Sequence, residues 1–233
     1  MGLPGEVMEK LQDTDRSTIS GSDRICNYFL GDACRCWSLG NQIDRKVSRV
    51  ILSVYRRLQK NPRLAELGVI DLVPSYTALA LHAHPLADWN AIQELVEGEF
   101  SIGRVADRLD LGGTTHRLPV VYQGEDLPRV AEHCRLSLDE VINRHSRVDY
   151  LVAMIGFRPH FPYLLGLDPA LAVPRLDSPR LKVSAGAVAI GGDQTGVYPE
   201  ESPGGWNIIG STDPALLLPI RPGDTVIFVR EET

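Results

Sequence analysis

Between residues 156 and 206 this 233-residue chain concentrates the side chains that could do chemistry. The stretch opens Gly156-Phe157-Arg158-Pro159-His160-Phe161-Pro162-Tyr163-Leu164. In an extended backbone alternate side chains point to one side, so Phe157, Phe161 and Tyr163 form a row. Pro159 and Pro162 stiffen the segment and remove two backbone donors. A rigid aromatic ledge of this kind lines a pocket or packs a core loop, and composition leaves both readings open. Pro174-Arg175 and Pro179-Arg180 follow, five residues apart. Proline fixes the backbone ahead of each arginine, and a guanidinium fork binds carboxylate or phosphate through paired hydrogen bonds. A solvated connector is the alternative.

Two glycine-rich motifs complete the set: Gly191-Gly192-Asp193-Gln194-Thr195-Gly196-Val197-Tyr198 and Ser202-Pro203-Gly204-Gly205-Trp206. Glycines let backbone N–H groups approach a ligand and can form an anion-binding nest. Gln194 offers both donor and acceptor, while Thr195, Tyr198 and Ser202 add hydroxyls. Such a group suits an amide or a carboxylate; two β-turns on a barrel rim would need the same glycines. His145 stands at the end of a helix, where it either serves as acid and base or, as a cation, complements the helix dipole.

Other chemistries lack their residues. There is no phosphate-binding Gly-x-x-x-x-Gly-Lys motif and no Gly-x-Ser-x-Gly nucleophile elbow. His82 and His84 share a strand face without a third ligand, and His116 and His133 read as surface residues. Cys26, Cys34, Cys36 and Cys134 show no zinc spacing and read as reduced thiols, so no metal site is expected.

The elements that must position these residues fall into two groups. Residues 1–21 are polar and aperiodic and read as a mobile leader. Arg24–Leu30 and Ala33–Leu39 read as a hairpin turned by the two residues Gly31-Asp32. Ile43, Val47, Val50, Ile51, Val54, Tyr55 and Leu58 share one face of a helix. Val69–Val73 and Thr77–His82 read as strands, and a second helix covers about 87–109. The order ββαββα predicts a small sheet with two helices on one side, an N-terminal α/β domain over 22–114.

After Gly112-Gly113 the pattern changes. Arg117–Tyr122 is a strand, Ser137 to Glu140 is a helix capping box, and Val148–Ile155 is a strand buried on both faces. Leu181–Ile190, Trp206–Gly210, Ala215–Ile220 and Thr225–Val229 read as further strands between Gly/Pro-rich turns, with Pro222-Gly223-Asp224 turning before the last. Residues 115–233 therefore read as a β-barrel or sandwich, and the whole chain as α+β.

Composition bounds the partners. A 43% hydrophobic, 23% charged chain is an ordinary globular protein. A net charge of −6 repels phosphate backbones, so nucleic acid is not an expected partner. No stretch approaches a membrane helix, and no basic segment followed by an apolar one opens the chain. The cytosol is the expected location.

The same residues carry a resemblance. Asp71-Leu72-Val73-Pro74-Ser75-Tyr76-Thr77, His145-Ser146, Gly156 through Leu164, Gly166-Leu167-Asp168-Pro169, the two Pro-Arg pairs, Gly191 through Pro199, Ser202 through Gly210 and Pro222-Gly223-Asp224 occur in order over about 24–229. This run resembles the family of 5-oxoprolinase B subunits, the Kip inhibitor and allophanate hydrolase subunit 1. The resemblance implies a cyclophilin-like β-barrel after the small α/β domain. It implies pairing with a related 5-oxoprolinase C subunit, of the allophanate hydrolase subunit 2 type, and with an A subunit. Together these cleave 5-oxoproline to glutamate, with ATP and magnesium as co-substrate of the complex. It also implies two other members' roles: inhibition of a sensor histidine kinase, and the carboxyltransferase part of urea carboxylase. On the enzymatic reading Gln194, Thr195 and the loop amides at Gly204 and Gly205 hold the lactam or its carboxylate. Arg175 and Arg180 neutralise phosphate charge, Phe161, Tyr163 and Trp206 exclude water, and His145 and Gln194 are the catalytic candidates. The chain departs from the family at His160, where glycine is usual, and at Ser184, Ala187 and Ser211. Glycine at the position of His160 in the family implies either a left-handed backbone there or a close backbone approach.

Overall fold

The computed structural model describes residues 25–105 and 111–232. The expected leader and the last residues of the expected second helix lie outside the described residues. The first group of elements is β1 (Cys26–Phe29), β2 (Cys34–Ser38), α1 (Arg45–Gln59), a one-turn α2 (Arg63–Glu66), β3 (Val69–Pro74), β4 (Ala78–Ala83) and α3 (Trp89–Val105). Its strands form an antiparallel sheet in the order β1-β2-β4-β3. The periodic apolar face of α1 is the one that buries: Ile51, Val54 and Leu58 pack with Ile92, Val96 and Phe100 of α3 against Trp37, Leu79 and Leu81 of the sheet. Asp44 starts α1 by accepting from the N–H groups of Lys46 and Val47, a cap worth about 1 kcal/mol. The β1–β2 turn has three residues and not the expected two, because Leu30 N–H closes onto Cys34 O. The third residue, Ala33, is drawn into the sheet: its carbonyl accepts from Ala83 N–H of β4.

The second group runs β5 (Thr115–Val120), α4 (Leu127–Cys134), α5 (Leu138–Ser146), β6 (Asp149–Ile155), β7 (Pro162–Leu165), β8 (Arg180–Val183), β9 (Ala187–Gly191), β10 (Gln194–Val197), β11 (Ser202–Gly204), β12 (Asn207–Ser211) and β13 (Thr225–Arg230). Seven of the strands form one sheet in the order β12-β9-β10-β7-β6-β13-β5. Its two ends meet where Val121 and Ser211 exchange backbone hydrogen bonds of 3.0 Å in each direction, so the sheet closes into a barrel-like wall. Closure covers edges that could otherwise pair with another chain. The capping box forms as expected, with Ser137 Oγ accepting from Glu140 N–H and Glu140 Oε2 accepting from Ser137 N–H.

Two expected strands are different. Leu181–Ile190 is β8, a turn and β9: Gly186, at φ +80°, reverses the chain, and β8 leaves the barrel to pair with β11. Ala215–Ile220 holds a 3₁₀ turn over Pro214–Leu217, capped by Asp213 accepting from Ala215 N–H. An Asp-Pro pair is a helical start signal, which the apolar run after it obscured. The helix α4 escaped the sequence reading altogether.

Between the two groups, Leu52 of α1 packs with Leu111, Leu151, Ala153 and Leu165. Arg56 donates to Gly112 O and Pro222 O and pairs with Asp224 Oδ1, each at 3.0 Å. His116, expected at the surface, is half-buried at 3.0 Å from the other oxygen of Asp224. Four hydrogen bonds hold the Asp224 carboxyl below the usual carboxylate range, against the burial that would raise it.

Candidate functional site

On one wall of the barrel lies an aromatic cluster separate from its main core. Phe161, Val183, Ala187, Ala189, Tyr198 and Trp206 form it, with Tyr163 packed against them. Phe161 sits at the centre, edge-on to Tyr198 at 5.2 Å and to Trp206 at 5.6 Å between ring centroids. Tyr163 meets Trp206 at 5.9 Å. Edge-to-face pairs add about 0.5–1.5 kcal/mol each beyond the area they bury, so the cluster is stiff. The indole of Trp206 lies flat over Gly191, where a Cβ would come within 2.5 Å of the ring; only glycine admits it. Burial, more than any charge, pushes the Tyr198 hydroxyl's pKa up, against a smaller lowering by the Trp206 backbone.

Above this cluster opens a cavity of about 300 Å³, lined by Phe157, Phe161, Tyr163, Arg175, Leu176, Pro179, Tyr198, Pro203, Gly204, Gly205 and Trp206. The guanidinium of Arg175 stands 5.7 Å from the centre of the Trp206 ring. Arg175 has no ion-pair partner among the described residues. Phe157 guards the mouth, 57% exposed and edge-on to Phe161. Its backbone is left-handed at φ +66°, as is that of His160 at φ +65°, one of the two conformations that the family's glycine implied for His160. Each such residue stores roughly 1–3 kcal/mol of strain, held here by the Gly156–Phe161 turn hydrogen bonds. His160 itself does not line the cavity.

Seven of the sequence candidates thus gather in one place: Phe161, Tyr163, Arg175, Tyr198, Gly204, Gly205 and Trp206. Gln194 stands close by. It pairs with Gly191 across the β9–β10 hairpin, and so faces the side on which Trp206 lies, without lining the cavity. Ser202 is buried opposite Val183, facing the cluster from below, and its Oγ has no partner among the described residues.

Three candidates go elsewhere. Arg180 pairs with Glu125 at 2.9 Å and Asp126 at 2.8 Å. The buried Asp126 also accepts Ile208 N–H at 2.7 Å, so Arg180 clamps β8 to the barrel seam. These pairings keep Arg180 out of the cavity lining, while its Nη1 has no partner among the described residues. His145 is fully buried in the barrel core, stacked at 4.6 Å on Phe228. Tyr122 Oη lies 2.8 Å from its Nδ1, and Thr195 Oγ1 lies 2.9 Å from its Nε2. Thr195 spends its own hydrogen on Ala189 O, so the imidazole Nε2–H donates to Thr195 and Nδ1 accepts from Tyr122. Burial lowers the His145 pKa to about 3 and keeps the ring neutral. His145 and Thr195 are therefore internal struts, and neither touches the cavity. The helix-end position of His145 was visible in sequence; its burial was not.

Sequence reading missed Tyr76. It comes from the β3–β4 turn and sets its ring edge-on to Tyr163 at 6.1 Å, bringing the first sheet to the cavity wall. A hollow of about 400 Å³ between the end of α1 and β3 gathers no comparable set of groups. No group of three His, Cys, Asp or Glu side chains able to hold a metal ion occurs among the described residues. No helix among them is long and apolar enough to cross a membrane.

Comparison with known proteins shows the family of the chain and its fold. Residues 26–223 match the carboxyltransferase domain family, subdomains C and D. The chain is 33% identical over 220 residues to the 5-oxoprolinase B subunit of Bacillus subtilis, spanning 86% of this chain and 90% of that one. It is 52% identical over 125 residues to the protein of the same name from Escherichia coli O157:H7, spanning 49% of this chain and 57% of that one. Among solved structures, the crystal structure of TTHA0988 superposes with a TM-score of 0.73 at 33% identity. The match covers 90% of this chain but 41% of that one, so this chain spans less than half of that protein. The urea carboxylase of Kluyveromyces lactis shares the fold, with a TM-score of 0.67 at 16% identity over 95% of this chain and 23% of that one.

Proposed function

The chain belongs to the carboxyltransferase domain family, subdomains C and D, and from that premise we propose that it is the B subunit of a 5-oxoprolinase complex. The complex opens the lactam of 5-oxoproline to glutamate in an ATP-dependent reaction. The observation that carries this reading is the cavity. It combines stiff aromatic walls, one cation without a counter-charge among the described residues, and a glycine turn, in about 300 Å³. A small, nearly flat ring with one carboxylate suits it. Ring faces lie against Trp206, Phe161 and Tyr163, and the carboxylate meets Arg175 through charge-assisted hydrogen bonds. The same walls keep water off the ring until the site is complete.

The cavity does not fit a magnesium triphosphate. It presents one guanidinium, and no metal-holding group of acidic, histidine or cysteine side chains occurs among the described residues. On this reading the nucleotide, whose phosphoryl group activates the lactam oxygen, is held by the related C subunit and the A subunit. This chain binds and orients the ring, and it is inactive alone.

The test is reconstitution. The purified chain should show negligible turnover. Co-expression with the C subunit should give a stable complex, and adding the A subunit should give glutamate formation that depends on both ATP and 5-oxoproline. A chain that forms no such complex, yet binds a sensor histidine kinase tightly, would sink the enzymatic reading.

A further inference from the structure

Five aromatic rings line the cavity, and Phe157 differs from the rest. Phe161, Tyr198 and Trp206 are buried and Tyr163 is half-buried among them, whereas Phe157 is exposed. Its backbone is the more unusual feature. Arg158 N–H donates to Gly156 O at 2.8 Å, so the chain makes a γ-turn with Phe157 at its centre. With φ at +66° this is the strained form of that turn, rare in general and an outlier for a bulky residue. Two other non-glycine residues have a positive φ among the described residues. Arg135 ends α4, an ordinary place for it, and His160 lies in the same turn as Phe157 without lining the cavity. A glycine at 157 would relieve the backbone, and an exposed ring recovers only part of what burial gives. Local stability therefore gives little reason for a phenylalanine here, and strain of this kind gathers where a ligand is clamped.

The turn nevertheless aims the ring. Phe161 N–H donates to Arg158 O at 3.1 Å and Gly156 N–H to Phe161 O at 3.2 Å, so the segment closes on itself. Phe157 stands 5.5 Å from Phe161 at an interplanar angle of 83°, and Trp206 stands 5.6 Å from the same ring at 82°. Phe161 is thus a floor from which Phe157 and Trp206 both rise nearly upright. Phe157 also meets Tyr198 edge-on at 6.4 Å. The guanidinium of Arg158 lies 5.8 Å from the centre of the Phe157 ring and pairs with Glu200, between β10 and β11, at 3.5 Å. Arg175, the cavity's cation, sits beside Trp206.

We propose that Phe157 is a specificity-determining wall of the cavity: its γ-turn holds the phenyl ring against one side of a bound ring acid, so that flat rings are chosen over puckered ones. A flat ring meets an aromatic face over its whole area, while a puckered ring meets it at an edge. The acid's carboxylate lies at Arg175, and its ring stands on Phe161 between Trp206 and Phe157. The substrate class is then a small, flat, five-membered ring that carries one carboxylate. This deepens the proposed function and rests on it.

The experiment compares the reconstituted complex with its Phe157→Leu and Phe157→Tyr forms. Leucine keeps much of the bulk and loses the flat face; tyrosine keeps both. Phe157→Leu should raise KM for 5-oxoproline about fivefold, the loss of one aromatic contact, with kcat within about twofold. Phe157→Tyr should restore the wild-type KM. Two inhibitors carry the same carboxylate: pyrrole-2-carboxylate, which is flat, and tetrahydrofuran-2-carboxylate, which is puckered. The wild-type complex should prefer the flat one, and Phe157→Leu should lose that preference by about the same fivefold factor. An unchanged KM, or equal weakening of both inhibitors, overturns the proposal while the enzymatic reading stands. A fall in Tm that tracks the loss of activity overturns it as well, because the role is then structural. So does a complex with the C subunit that dissociates on gel filtration only in Phe157→Leu, because the ring is then a subunit contact. If the wild-type complex never turns over 5-oxoproline, the enzymatic reading falls by itself. Calorimetric titration of the full chain with the two ring acids then decides this point. Weaker binding of pyrrole-2-carboxylate alone by Phe157→Leu supports the wall, and equal or absent binding removes it.

Discussion

Two polar regions, one inside the barrel and one at its aromatic wall, obey opposite rules. Along Tyr122, His145, Thr195 and Ala189 every donor finds an acceptor, and the ring between them is fully buried. At the cavity wall the buried Tyr76 hydroxyl beside Tyr163 lacks a partner, and Arg175 lacks a counter-charge among the described residues. Both regions contain residues that sequence reading put forward for chemistry. The difference teaches that satisfaction separates a strut from a site. A closed hydrogen-bond chain has nothing left to offer a ligand, whereas an open one costs stability until something fills it.

Acid separates the two regions most strongly. His145 in the folded chain has its pKa lowered by burial from 6.5 to about 3. Between those values the unfolded chain takes up a proton that the folded chain refuses, so stability is lost as pH falls through this window. The slope approaches about 1.4 kcal/mol per pH unit. Urea unfolding from pH 7 to pH 4 should show it, and His145→Gln, which stays neutral, should flatten it. An unchanged slope would mean that His145 is not sealed. Next in size, Arg175→Gln should weaken 5-oxoproline binding by the complex roughly 10- to 100-fold, as loss of a charged hydrogen-bond partner does, with Tm unmoved. Equal affinity would place the carboxylate elsewhere.

The same substitution made in both regions sharpens the contrast further. Tyr122→Phe strips His145 Nδ1 of its donor and should destabilise by about 1–3 kcal/mol in urea unfolding. Tyr76→Phe removes a hydroxyl that has no partner among the described residues, and should leave stability equal or better. Like signs for the two would break the comparison. The smallest effect is expected at His160→Gly. The left-handed strain relieved, roughly 1–3 kcal/mol, should be largely offset by the extra freedom glycine gains when unfolded. Thermal unfolding should show no loss of stability, and a clear loss would mean that the imidazole packs.

The sequence by itself determined whatever depends on neighbours. The 3.6-residue period of α1, the Ser137–Glu140 capping box and the nearly all apolar β6 were legible, because each is a local rule. So was most of the aromatic wall, since Phe161, Tyr163, Tyr198 and Trp206 fall within one short span and its motifs. Only the tertiary structure decided which of two arginines in identical Pro-Arg settings faces the cavity. Arg180 meets Asp126, 54 residues away, and Arg175 meets no carboxylate among the described residues. It decided equally that His145 is sealed by Thr195, 50 residues on, and that Tyr76 reaches Tyr163 from another sheet. Burial and charge pairing belong to surfaces brought together by strand order and barrel closure. A residue's type and near neighbours say what it can do, but long-range packing settles whether its polar atoms are already spent.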